Sequence, residues 1–305
     1  MVAHVPVMLG QVLRWLAPIP GARVLDGTLG LGGHAEAILE RILPGGLLIG
    51  LDRDPEMLER ARGQLARFGD SVRLFRSRLS HLREAVEGAG LGPVDGVLMD
   101  LGICSAQLDD PSRGLAFREE SGRASLDMRL DRSRGETAAE LLERVDEQEL
   151  ADILRRGDVP GPRRVARTLL ERRPIRTADE LVEALRGARL PRRRHHPATL
   201  VFQALRIAVN DELREIDAGL EGALEVLGSG GRLVVLAYHS GEDRRVKEFL
   251  RREERGCICP TELPQCGCGR SPRLRILSRG QGPEPEEVMS NPRARSARLR
   301  AAEKW

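Results

Sequence analysis

The chain has 305 residues, enough to bury a substantial core in one large domain or two ordinary ones, and its 41% hydrophobic and 31% charged residues predict a soluble globular protein. No apolar run reaches the length that crosses a bilayer, and residues 1–6 (MVAHVP) lack the basic start and apolar stretch of a signal peptide, so a cytoplasmic location without membrane contact is expected. A net charge of +3 is too small to identify a partner, and five cysteines in so long a chain argue against a secreted disulfide scaffold.

Apolar residues at helical spacing over residues 7–16 predict an opening amphipathic helix. Residues 23–26 (RVLD) read as a short buried strand, followed by the loop GTLGLGG and a helix over 35–42. Residues 47–52 (LLIGLD) form a second apolar strand ending in an acid, and 55–68 a helix with Pro55 in its first turn. Residues 72–75 and 94–100 read as the third and fourth strands, the latter again closing on aspartate. This alternation predicts an α/β domain with a parallel sheet covered by helices on both faces. After Asp110 the pattern changes, with helical periodicity over 138–145, 147–155, 165–172 and 178–185 and no convincing strand before about Leu205. Sheet patterning returns at 231–238 and 274–277, after a long apparent helix over 202–227, and residues 291–304 read as a basic, loosely packed tail. An inserted helical domain over 110–205, splitting a core of 1–109 and 206–305, explains this order better than two domains in tandem.

Four glycines within residues 27–33 let a loop approach a ligand closely with its backbone. Gly30-x-Gly32-x-x-Ala35 fits the dinucleotide fingerprint, so a nicotinamide enzyme is one reading. Asp26 argues against it, because an acid beside the loop repels pyrophosphate, and because Gly30 follows the strand at a distance of four residues rather than directly. The acid suits a ligand with a positive amino group, such as S-adenosylmethionine. Asp52, at the end of the second strand, is placed to accept hydrogen bonds from two ribose hydroxyls, and Asp100 ends the fourth strand beside the switch point where open α/β sheets bind ligands.

From His4 nearly to the C-terminus the residues resemble a known family. The segments DGTLGLGGHAEAIL, DRDPEML, MDLGICSAQLDDPSRGLAF, SLDMRLDRS, HPATLVFQALRIAVNDEL and YHSGEDRRVKEFL are similar, in that order, to successive motifs of the RsmH (MraW) family. The resemblance implies a Rossmann-like class I S-adenosylmethionine-dependent methyltransferase with an inserted all-helical domain, acting on N4 of a cytidine in the decoding region of 16S ribosomal RNA. It implies cofactor contacts at Gly32, Gly33, His34, Asp52, Leu79, Asp100 and Gln107, and RNA recognition by the insert. The partner implied is 16S rRNA within the small subunit or a late assembly particle; self-association as a homodimer stays open. This chain departs from the usual pattern at Cys104 and Ala106 (Ser and Pro), Ala124-Ser125 (Gly-Pro), Ala237-Tyr238 (Ser-Phe) and Gly241 (Leu).

Cytosine's exocyclic amine is a weak nucleophile because its lone pair is delocalised into the ring. Transfer to it needs alignment with the sulfonium methyl, an acceptor that localises the lone pair, and exclusion of water. Asp100 is the first candidate for contact with cofactor or amine; Asn210 could read the base edge, and His239 could accept a proton. Against the last two, Ser240-Gly241-Glu242-Asp243 reads as a helix start that a neighbouring polar residue merely holds. Methylation at C5 would need a cysteine nucleophile, for which Cys104 is placed, but nothing marks it as activated and a small buried residue is the preferred reading. A nonenzymatic assembly factor that senses S-adenosylmethionine is the rival from another class.

Two further patterns stand outside this chemistry. Cys257-x-Cys259 and Cys266-x-Cys268 could close a tetrahedral zinc site, yet the one-residue gap is tighter than usual, and reduced thiols in a loop remain the alternative. In the insert, Arg163-Arg164 and Arg192-Arg193-Arg194 offer phosphate contacts, with a solvated charge run as the alternative.

Overall fold

The structure, a computed structural model, describes residues 6–116, 124–188, 198–257, 259 and 267–305. The chain forms two compact units, one of Met1–Gly102 with Leu213–Trp305 and one of Ile103–Glu212.

In the first unit α1 (Leu9–Leu16) precedes β1 (Arg23–Asp26), α2 (Gly33–Ile42), β2 (Leu47–Asp52), α3 (Pro55–Leu65), β3 (Val72–Arg76), α4 (Leu82–Gly88) and β4 (Val94–Asp100). After the excursion into the second unit come α11 (Glu212–Val226), β5 (Leu227–Ala237), α12 (Ser240–Arg255), β6 (Leu274–Gln281), α13 (Pro285–Ser290) and β7 (Arg298–Lys304). Among the described residues the strands form one sheet of seven in the order β3-β2-β1-β4-β5-β7-β6. The first five are parallel, and β7 is antiparallel to both β5 and β6. The pleat sends alternate residues to opposite faces. Leu25, Ile49, Val97 and Val235 pack with Leu82, Leu220 and Phe249, while Val24, Leu48, Leu98 and Val234 pack with Val12, Ile38, Leu39 and Leu58. Burial on both faces is why these strands read as continuous apolar runs. Truncating one of these side chains, Leu98→Ala for example, removes packing worth about 2–5 kcal/mol.

Register sets the functional edge. Asp26 lies opposite Gly50 of β2 and Leu98 of β4, Asp52 opposite Arg76 of β3, and Asp100 opposite Leu236 of β5. Three strands that end in acids therefore stop along one margin of the sheet.

Two expectations are corrected here. The loosely packed tail is in fact β7, hydrogen-bonded on both sides, with Leu299, Ala301 and Ala302 buried and the Lys304 ammonium donating to the Leu224 carbonyl at 2.8 Å. A strand reading RLRAAEK carries too little apolar alternation to announce itself; pairing with two neighbours supplies what its side chains do not. The long helix expected over 202–227 is two helices, because Asp211 takes a left-handed φ of 51° between α10 (Ala198–Asn210) and α11, and Leu227 already belongs to β5. Helical periodicity persists across that break, and aspartate is among the few residues that tolerate the conformation.

The second unit holds α5 (Ser105–Asp109), α6 (Ala138–Arg144), α7 (Glu147–Arg156), α8 (Pro162–Glu171), α9 (Ala178–Arg186) and α10. It extends beyond the expected 110–205 at both ends, since α5 and the last turns of α10 belong to it. Thr137 and Thr177 open α6 and α9 with capping boxes completed by Glu140 and Glu180. The apolar stripes of these helices, Leu141, Leu150, Leu154, Val165, Leu169, Leu181, Val201 and Leu205 among them, meet in one core. At Gly157 a Cβ would lie 2.4 Å from that of Ala204, so only glycine lets the end of α7 come this close to α10. No helix among the described residues is long and apolar enough to cross a membrane.

Candidate active site at the strand ends

The glycine loop starts where β1 ends. Gly27 donates to the Leu98 carbonyl at 2.9 Å and Leu29 to the Leu51 carbonyl at 2.8 Å, so the loop is stitched to β4 on one side and β2 on the other. Gly32 caps α2 at a φ of 86°, a left-handed conformation in which a side chain is strained. Gly33 has a packing reason of its own, since a Cβ there would approach Pro6 Cγ to 2.6 Å. The Pro6–Val7 segment thus lies against the start of α2, and buried His34 reaches the Val7 carbonyl through Nε2 at 3.0 Å.

Asp26 is 1% exposed and accepts from the Thr28 N–H at 3.1 Å. Burial pushes its carboxyl up to about 6; charge on His34 and the Thr28 N–H oppose that rise, and Asp100 and Asp52 add to it. Burial likewise pushes Asp52 up to about 6 against the N–H groups of Asp54 and Gly30, each donating at 2.8 Å. Those two bonds aim the carboxylate and leave part of its roughly four acceptor positions for paired hydroxyls. Near neutral pH the loop is therefore flanked by two ionised acids, both favouring a cationic ligand.

Asp100 is held from three directions. Its N–H donates to Thr28 Oγ1 at 2.5 Å, the Tyr238 hydroxyl donates to its Oδ1 at 2.6 Å, and His34 Nδ1 lies 3.6 Å from its Oδ2. Burial and the neighbouring Asp100 charge drive the Tyr238 hydroxyl far above its ordinary pKa, so it remains a donor. The Asp100 side chain is 25% exposed, which leaves the carboxylate within reach of a ligand. Tyr238 is in turn positioned by Glu242, whose Oε2 accepts from the Tyr238 N–H at 2.7 Å. Leu79 closes the loop's apolar side: a Cβ at Gly27 would meet its Cδ2 at 2.8 Å, so backbone and leucine are in close contact.

The structure thus brings Gly32, Gly33, His34, Asp52, Leu79 and Asp100 together around one loop. Gln107 belongs to the helical unit, where its Oε1 accepts from the Cys104 N–H at 3.1 Å in a capping box. The other two candidates serve the framework. Asn210 is 1% exposed; its amide donates to the Met128 and Arg206 carbonyls at 2.8 and 2.9 Å and accepts from the Leu130 N–H at 2.9 Å. The amide expected on a base edge is instead turned inward to hold the 128–130 loop. His239 caps α12, its Nδ1 accepting from the N–H groups of Gly241 and Glu242 at 3.2 and 3.4 Å. That assignment leaves the ring proton on Nε2, 3.2 Å from Glu242 Oε1, so the lone pair expected to take a proton is committed to the helix start. Sequence reasoning singled out neither Thr28 nor Glu242, and it saw Tyr238 only as a departure from pattern. A phenol at the end of β5, level with Asp100, was the available signal.

The residues fit S-adenosylmethionine: buried acids for its cationic amino-acid end, Asp52 for the ribose, an apolar side chain beside a glycine cradle. Strand order, the reversed β7 between β5 and β6, and acids ending β1, β2 and β4 define a class I S-adenosylmethionine-dependent methyltransferase fold. A model of the MraW methylase family matches residues 1–305, and the chain belongs to that family. A protein of Dehalococcoides mccartyi called ribosomal RNA small subunit methyltransferase H is 46% identical over 304 residues, covering 99% of this chain and 86% of its own. The protein of the same name from Geobacter sulfurreducens is 48% identical over 311 residues, with 99% of both chains covered. Among solved structures, an rRNA methylase from Streptococcus thermophilus gives a TM-score of 0.46 at 11% identity over 99% of each chain.

Proposed function

We propose that this protein transfers the methyl group of S-adenosylmethionine to the exocyclic N4 of a cytidine in the decoding region of 16S ribosomal RNA. The relatives called ribosomal RNA small subunit methyltransferase H support the substrate class. The observation that carries the chemistry is Asp100: a carboxylate at a strand end, partly exposed, with one oxygen fixed by Tyr238 and the other facing His34. In this reading Gly32, Gly33 and His34 line the cofactor's amino-acid end, Asp52 takes the ribose hydroxyls, Leu79 packs on the base, and Gln107 is the remaining candidate for a cofactor contact. The cofactor supplies an electrophilic methyl on a sulfonium. Asp100 accepts a hydrogen bond from the cytosine amine, which turns the nitrogen lone pair out of ring conjugation and toward the methyl, and takes the proton released as the N–C bond forms and the methyl–sulfur bond breaks, with S-adenosylhomocysteine the leaving group. Because that carboxylate is already oriented by Tyr238, little reorganisation is needed at the moment of reaction.

The helical unit is assigned to RNA recognition. Arg163 and Arg164, in the first turn of α8, are candidates for phosphate contacts; Arg192, Arg193 and Arg194 lie outside the described residues. The substrate is the rRNA in the small subunit or in a late assembly particle. The test is mass-spectrometric mapping of methylated cytidine in small-subunit rRNA incubated with and without the protein and S-adenosylmethionine. An N4-methyl on one decoding-region cytidine is expected. Methyl transfer to C5, to another nucleotide, or no transfer to any small-subunit substrate overturns the reading.

A further inference from the structure

Beyond the strand-end site, one cluster of chemically capable side chains has no part in methyl transfer. Cys257 and Cys259 follow α12, and Cys268 precedes β6. Their sulfurs all lie within 4.8 Å of one another, and Cys257 Sγ and Cys268 Sγ are 3.8 Å apart. A disulfide between that pair would need the sulfurs at about 2.05 Å. A tetrahedral zinc ion with Zn–S bonds of about 2.3 Å sets its thiolates about 3.8 Å apart, which is the spacing of the Cys257–Cys268 pair.

The chain converges here through contacts independent of the thiols. A Cβ at Gly256 would lie 2.3 Å from the backbone of Ser271 and Pro272, so the segments before Cys257 and after Cys268 pass in direct contact. Glu253, fully buried on α12, accepts from Arg273 Nε at 2.6 Å, and its carbonyl accepts from the Arg273 N–H at 2.9 Å. The geometry is therefore pinned at the base of the loop, and the thiols are presented side by side above it. They are half-buried. Thiolates are soft ligands suited to zinc, and three of them with one divalent cation carry a net charge of −1. Arg255, which donates to the Cys259 carbonyl at 3.3 Å, is placed to offset it.

We infer that Cys257, Cys259 and Cys268 bind a structural zinc ion that ties the end of α12 to the start of β6. Cys266 lies outside the described residues, and the proposal rests on the other three thiols. The metal has no catalytic part: it cross-links the chain between α12 and β6, and so contributes folding free energy directly.

The test is metal analysis of the full-length protein purified under reducing conditions without chelator. About one zinc per chain is expected, falling at least tenfold in Cys257→Ser and Cys268→Ser and unchanged in Cys104→Ser, whose thiol lies elsewhere. Should the serine variants fail to fold, the parent protein answers: chelation should lower its melting temperature, returned zinc should restore it, and cobalt in place of zinc should give the intense sulfur-to-metal absorption of a thiolate site. Protein that carries less than a tenth of an equivalent of zinc and takes up none, that retains zinc in the folded serine variants, or that holds iron with inorganic sulfide would overturn the assignment.

Discussion

Asp26→Asn is expected to make the protein more stable and bind its cofactor less well. The side chain is 1% exposed, and burial raises its carboxyl from 3.8 to about 6. An acid so raised costs the folded state about 3 kcal/mol when ionised, at about 1.36 kcal/mol per pH unit. Asparagine keeps an oxygen for the Thr28 N–H and never ionises, so the cost disappears with the charge. The sign follows from linkage. The native carboxyl binds its proton more tightly than the unfolded one, so between pH 3.8 and about 6 the folded state gains stability from this group as pH falls, and above about 6 the full penalty stands. The variant's advantage should therefore be up to about 3 kcal/mol at pH 7.5, about half that at pH 5, and near zero below the unfolded value. Urea unfolding at a series of pH values measures it, with calorimetric binding of S-adenosylhomocysteine alongside. A variant no more stable than the parent at pH 7.5, or an advantage that does not shrink toward acid, would refute the view that this acid is kept ionised at the expense of the fold.

Because the ligand's ammonium favours ionised Asp26 and its ribose hydroxyls donate to ionised Asp52, protons compete with binding: affinity for S-adenosylmethionine should fall as pH drops below about 6, by up to tenfold per pH unit for each acid, and a flat profile from pH 8 to 5 would exclude them from the site. Cys104→Ser should retain methyl transfer, since no covalent bond to the base is needed for N4 chemistry; loss of activity with an rRNA adduct trapped by a fluorinated cytosine analogue would mean C5 chemistry. Asn210→Leu leaves the Met128 carbonyl and the Leu130 N–H without their amide partner and should destabilise the helical unit by about 2–4 kcal/mol, read as faster amide exchange at Leu130. Truncation after Ala297 removes the strand that pairs β5 with β6 and should give insoluble protein; a soluble, cooperatively unfolding product would restore the picture of a loosely packed tail.

Much of this protein was legible in its sequence because the informative features are local. Each of β1, β2 and β4 runs through buried apolar residues to stop on an acid, as a parallel strand covered on both faces does. The sequence alone therefore puts Asp26, Asp52 and Asp100 at strand ends, and the glycine spacing of the loop with its acid separates a cationic ligand from a pyrophosphate. The capping boxes of α6 and α9 are equally local, written within four residues. Other features depended on partners distant in the chain. β7 is a strand because β5 and β6 lie on either side of it, not because RLRAAEK prefers to be one. Tyr238 lies 138 residues from Asp100, and only the register of β4 against β5 brings its hydroxyl to that carboxylate. The inward turn of Asn210 follows from a loop some eighty residues earlier whose carbonyl and N–H groups must be satisfied once buried. The 3.8 Å between Cys257 and Cys268 follows from the close passage of Gly256 over Ser271 and Pro272. Hydrogen-bonding capacity and periodicity are properties of residues and travel with the sequence; which donor meets which acceptor is a property of packing, and only the folded chain decides it.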